Sequence, residues 1–163
     1  MLMPTPPPPP AAPAPLQAQL PEPLRPDQAR PPGLVLLDQR QGREGPEALG
    51  VYAASPDRLQ PNLWTVKVWL ERPNNLLVVS DAIRCSTTSP MRITTDGRLT
   101  FVRELNPGGP INPANRVDHL IWWAVCHPDQ AGRDPAELGA VARQLGYSGV
   151  LPEREQVLRA NPR

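Results

Sequence analysis

Lysine is nearly missing from this sequence: Lys67 is the only one, and the other 16 basic residues are arginine. With abundant Pro, Ala and Gly, that bias reads as GC-rich coding rather than a selected function. Formal net charge is only +1, so no bulk electrostatic attraction to nucleic acid or anionic membranes is implied. Aromatic residues make up 4% of the chain, and no apolar stretch approaches the ~18 residues needed to span a bilayer. Cysteine occurs twice. No Cys-x-x-Cys or His-x-x-x-His spacing exists, so Cys85, Cys126, His119 and His127 do not read as a metal site. Gly-x-Ser-x-Gly is absent, and no Gly-rich loop precedes a lysine that could cradle phosphate. Catalytic, cofactor and metal chemistry are therefore not expected, and no small-molecule substrate is implied.

Proline is in excess. Of 25 prolines, 13 fall within residues 1–32, and Pro6 to Pro10 are unbroken. Proline fixes φ and removes a backbone donor, so residues 1–32 read as a disordered, extended Pro/Ala-rich tether. Residues 33–163 read as one domain, long enough to bury a core without a metal. The first residues show neither a basic start nor an apolar core of a secretory signal, so export requires a start upstream or a processing site nearby.

Period-two alternation marks the clearest strand. Trp64, Val66, Val68 and Leu70 share one face, and Thr65, Lys67 and Trp69 share the other. A solvent-facing Trp69 beside Lys67 is the candidate partner-binding pair. Pro73-Asn74-Asn75 then turns the chain into a strand ending at Cys85. Residues 38–47 are polar and Gly-rich and read as a loop. In Met91–Phe101, apolar pairing of Ile93 with Leu99 and of Met91 with Phe101 selects a three-residue loop, Thr95-Asp96-Gly97. The run Val117–Cys126 is apolar except at Asp118 and His119, and reads as a central strand. As strand neighbours, Asp118 and His119 face opposite ways and cannot form a catalytic pair.

A helix is expected after Asp134: an N-cap aspartate, Pro135 at the first position, and an apolar stripe of Leu138, Val141, Ala142 and Leu145, stopped by Gly146. A weaker helix spans Pro152 to Arg159. The expected fold is α+β, an antiparallel sheet of four to five strands packed by a C-terminal helix.

Cys85 and Cys126 close matching ends of two apolar runs. A disulfide between them implies an exported, oxidised domain, periplasmic or extracellular. Two buried thiols in a cytoplasmic protein are the alternative. The stretch Asp81–Cys126 has a cysteine after an apolar strand, a Gly-turn hairpin, a Pro/Gly/Asn loop and a second cysteine closing an apolar run. It is similar to the surface-adhesin E-like domains of exported bacterial proteins. That resemblance implies a small extracytoplasmic β-rich domain of binding type, with a cell-envelope component or a protein as partner. Separately, Val141-Ala142-Arg143-Gln144-Leu145-Gly146-Tyr147-Ser148 resembles the first helix and turn of an AraC-type helix-turn-helix. A cytosolic regulator would then use residues 141–159 on DNA or on a protein, with Arg154 and Arg159 as the DNA contacts. Pro152 and the near-neutral charge argue against that version.

Overall fold

A computed structural model of the protein describes residues 2–10 and 25–160. The tether expected over 1–32 falls partly outside these residues. Residues 2–10 carry neither helix nor strand and are exposed. Pro26–Ala29 form a 3-10 turn, and Arg30 docks on the domain through Glu71.

Among the described residues, seven strands form one antiparallel meander in chain order: β1 (Val35–Gly42), β2 (Gly45–Pro56), β3 (Leu63–Arg72), β4 (Asn75–Arg84), β5 (Met91–Asp96), β6 (Leu99–Glu104) and β7 (Arg154–Arg159). The α+β class stands, but the sheet is larger than the four to five strands expected. Two segments account for the difference. Residues 38–47 are not a loop: they are the arms and tip of the β1–β2 hairpin, closed by Gly42 opposite Gly45. Their polarity reflects a hairpin that runs past the core, where Arg40 pairs across the ladder with Glu47 at 2.9 Å. The segment Pro152–Arg159 is not a helix either; Arg154–Arg159 pair with Glu104–Leu99 as β7.

The β3–β4 hairpin follows the alternation. Arg72 lies opposite Asn75, leaving Pro73 and Asn74 as the turn. Val66 and Val68 are buried on the inner face. In the β5–β6 hairpin the register differs from the expected three-residue loop. Asp96 pairs with Leu99 and Ile93 with Val102, so Gly97 and Arg98 alone make the turn. Gly97 has φ +60 and Arg98 is not left-handed, the sign pattern of a II′ turn. Arg92, expected on the wet face, is buried on the inner face, so apolar pairing does not set this register.

The largest correction concerns Val117–Cys126. It is not a strand but most of helix α1 (Arg116–Cys126), which lies against the sheet and touches β1 through β5. Leu120, Ile121, Trp122, Trp123 and Val125 are all buried. A helix enclosed on nearly every side shows no 3.6-residue stripe, so periodicity cannot separate it from a buried strand. Local chemistry at its start favours the helix. Asn112 Oδ1 accepts from the backbone N–H of Ala114 and Asn115, turning the chain, and Asp118 sits in the first turn, favourably placed on the helix dipole.

The expected C-terminal helix is split. Asp134 caps a 3-10 turn, Pro135–Glu137, by accepting from Ala136 N–H, and α2 (Gly139–Gln144) follows. Gly146 ends α2 at φ +99. Tyr147 N–H bonds Ala142 C=O and Gly146 N–H bonds Arg143 C=O, a Schellman closure. Leu138 and Ala142 enter the core, but Leu145 is exposed. The helix that covers the sheet is therefore α1 rather than a C-terminal one.

Candidate binding groove

Cys85 and Cys126 are bonded, with Cα atoms 5.3 Å apart. The bridge ties the residue after β4 to the last residue of α1. Beside it, the Trp122 indole donates to the Arg84 carbonyl at 3.0 Å. Both sulfurs being consumed, neither cysteine is available as a thiolate ligand.

The α1–sheet junction is held by buried charge. Arg92 on β5 donates to Asp81 on β4 at 2.7 Å and to Asp118 on α1 at 2.9 Å. A second polar bracket closes the far side of α1. His119, fully buried, has its Nε2 2.9 Å from Glu153, whose carboxylate also accepts from Asn115 Nδ2 and from the backbone N–H of Asn106. Asn106 in turn holds Gly149 C=O and Leu151 N–H. These contacts link α1 to β4, β5 and the segments around Asn106 and Glu153, while Asp81 Oδ1 and His119 Nδ1 are buried without a hydrogen-bond partner among the described residues. Among the described residues, no three His, Cys, Asp or Glu side chains converge as a metal set.

On the outer sheet face, away from α1, Trp69 and Lys67 part company. Lys67 is exposed and bonds Ser80 across the β3–β4 ladder. Trp69 is not solvent-facing as expected; it is 5% exposed, in edge contact with Tyr52, and its indole donates to Glu71 at 2.8 Å. Glu71 also receives two bonds from the Arg30 guanidinium. Those bonds hold the Glu71 carboxyl below its ordinary range against the opposing effect of burial, and they raise Arg30.

Of this Trp69–Glu71–Arg30 clamp, Glu71 and Arg30 line a groove of about 720 Å³ at the hairpin end of β1, β2 and β3. Arg25, Arg30, Arg40 and Arg72 line it, against Asp27, Glu47 and Glu71. Each carboxylate has an arginine partner: Arg25 for Asp27, Arg40 for Glu47, Arg30 for Glu71. Arg72 has no carboxylate in ion-pair range among the described residues. The groove is thus polar, open and one positive charge in excess.

None of these four arginines stands out in the sequence. Arg25 and Arg30 sit in the Pro-rich segment, and Arg40 falls in residues read as loop. Glu71 alone had a signal: it extends the Thr65, Lys67, Trp69 face by one more step. Arg154 and Arg159, the residues of the DNA-reading alternative, are exposed on strand β7 rather than on the second helix that a helix-turn-helix places in a groove of DNA. That correction removes the helix-turn-helix version. No protein-family model, curated protein or solved structure matches the chain.

Proposed function

We propose that this is an exported, non-enzymatic binding domain, in which a disulfide-braced sheet and helix present an arginine-lined groove to an extended anionic partner of the cell envelope. The Cys85–Cys126 bond carries the reading. Disulfides persist in oxidising compartments and are rare where thiols are kept reduced. In the chain-entropy model, closing a loop across a sequence separation of 41 stabilises by about 4 kcal/mol, large beside a usual domain stability of ~5–15 kcal/mol. The charged contacts of Arg92 and His119 seat α1 on the sheet and on Glu153, which supports a scaffold. The groove supplies the contact surface, its arginine fork geometry suiting carboxylate or phosphate groups.

Compartment and contact are tested separately. Protein taken from its native host, with thiols alkylated at lysis, is expected to carry no alkyl group and to weigh two hydrogens less than the reduced chain. Two alkylated cysteines would remove the exported reading. For the groove, a fluorescent oligoglutamate peptide is expected to bind at low ionic strength, more weakly as salt is added, and more weakly still to the Arg40→Ala, Arg72→Ala double variant. Equal binding by wild type and variant would move the contact elsewhere.

A further inference from the structure

β7 is an edge strand. It pairs with β6 on one side, has no strand on the other among the described residues, and every one of its six residues is exposed. Such an edge offers unpaired backbone donors and acceptors to any strand that can reach it. The next residue fixes which groups those are. Ala160 N–H donates to Arg98 C=O at 3.0 Å, so residue 160 points its backbone at β6. Alternation then turns Leu158, Gln156 and Arg154 toward β6 as well. The N–H and C=O groups of Glu155, Val157 and Arg159 face the open edge.

We propose that β7 pairs antiparallel with β7 of a second copy of this chain, forming a two-fold dimer centred on Val157. The backbone restricts the register, because edge-facing residues must meet edge-facing residues. Around a two-fold axis at Val157, Val157 lies opposite the partner's Val157. Glu155 lies opposite the partner's Arg159, and Arg159 opposite the partner's Glu155. Both charge pairs are complementary, and both are generated by the one axis.

The neighbouring registers fail. A one-residue slip would set Arg154 against the partner's Arg159, like against like, with the wrong backbone groups facing. A two-residue slip one way pairs Arg159 with Glu153, which is already bound by His119 and Asn115. The slip the other way leaves Arg159 opposite Val157. Only the centred register satisfies the backbone and both charges.

The charges also join an existing ladder. Arg103 on β6 lies 3.8 Å from Asp118 and 3.7 Å from Glu155. In the dimer, Glu155 stands between Arg103 and the partner's Arg159, so charge alternates across three strands. Val157 and Leu158, 49% and 46% exposed, gain cross-strand neighbours. An edge protected from pairing carries proline, a bulge or a row of one charge. Within Arg154–Arg159 there is no proline, the register with β6 is unbroken, and the charges are of both signs.

Sedimentation velocity on the full chain tests the dimer. Wild type is expected to dimerise reversibly with rising concentration. Glu155→Arg and Arg159→Glu are each expected to be monomeric, with association weakened roughly tenfold or more. The two single variants mixed one to one are expected to form a heterodimer. In that mixture both cross-strand pairs are again opposite in sign, and a heterodimer also shows that each variant is folded. Val157→Pro removes an N–H that faces the open edge, leaves the β6 bonds in place, and is expected to be monomeric. A wild type that stays monomeric at high concentration and low salt overturns the proposal. So does a dimer that both single variants retain, or a mixture of the two that stays monomeric.

Discussion

Arg92 Nη1 on β5 lies 2.9 Å from Asp118 Oδ1 on α1, joining the central sheet to the helix that covers it. Its Nε reaches Asp81 on β4 at 2.7 Å, and the Arg92 side chain is only 10% exposed. One guanidinium thus compensates two carboxylates in a site with little water. Arg92→Ala leaves Asp81 buried without a cation and Asp118 with only the longer Arg103 contact, and is expected to destabilise by about 3–5 kcal/mol in urea unfolding. Arg103, 3.8 Å from the same Asp118 and 27% exposed, is the contrast. Arg103→Ala is expected to cost less than about 1 kcal/mol. Equal losses from the two would show that Arg92 is not the bearing contact.

The disulfide makes a separate stability prediction. Reduction, or Cys85→Ser with Cys126→Ser, restores the conformational freedom of the unfolded chain across 41 residues. The expected loss is about 4 kcal/mol. At a urea slope of about 2 kcal/mol/M, the midpoint moves down by about 2 M. A midpoint unchanged by reductant would mean that α1 is held by packing and Arg92 alone.

What could be read before the structure follows from where water reaches. The alternation in β3 was legible because one of its faces packs under α1 and the other faces outward. The turn after β3 was legible in Pro73-Asn74-Asn75, of which Asn75 already opens β4, and so were the caps Asp134 and Gly146, all of them local chemistry. Helix α1 was not, because burial nearly all round erases the stripe that separates 3.6 from 2. The β5–β6 register was hidden because a charged residue, Arg92, takes a buried position, matched by Asp81 on the neighbouring strand and by Asp118 on α1. β7 lacked the signal altogether: every residue is exposed, so no apolar face exists to alternate. The cysteine pairing survived the error over α1, since a helix end and a strand end both bring Cys126 to the end of β4. The groove was not read from the sequence, because Arg30 reaches Glu71 across 41 positions.

That long-range clamp has its own pH signature. Arg30 holds Glu71 below the ordinary glutamate value of 4.5. A depressed carboxyl contributes stability that is present above 4.5 and is lost as pH falls through the folded-state value. Glu71→Gln is therefore expected to be less stable than wild type at neutral pH, with the two converging in acid. Hydrogen exchange at Gln28 and Leu34, whose amides bond Arg25 and Pro31, is expected to accelerate in the variant. A stability difference that persists undiminished in acid would assign the Glu71 effect to shape rather than charge.

At the other end of α1, His127 Nε2 and the Tyr147 hydroxyl lie 2.9 Å apart, packed among Trp122 and Trp123. Burial lowers His127 from 6.5, with Asp129 opposing weakly, and pushes Tyr147 up to about 12. Both groups are thereby kept neutral, and they act at opposite ends of the pH scale. Below 6.5 the unfolded chain takes up a proton that folded His127 refuses, so stability falls with pH until the folded-state value is passed. Above 10 the unfolded chain releases the phenolic proton that folded Tyr147 retains, so stability falls as pH rises toward 12. His127→Gln is expected to flatten the acid limb of urea midpoint against pH, and Tyr147→Phe the alkaline limb. Phenolate absorbance, taken as wild type minus Tyr147→Phe, is expected to appear near 12 or together with unfolding. A Tyr147 that ionises near 10 while the tryptophan fluorescence stays native would mean that water reaches this cluster.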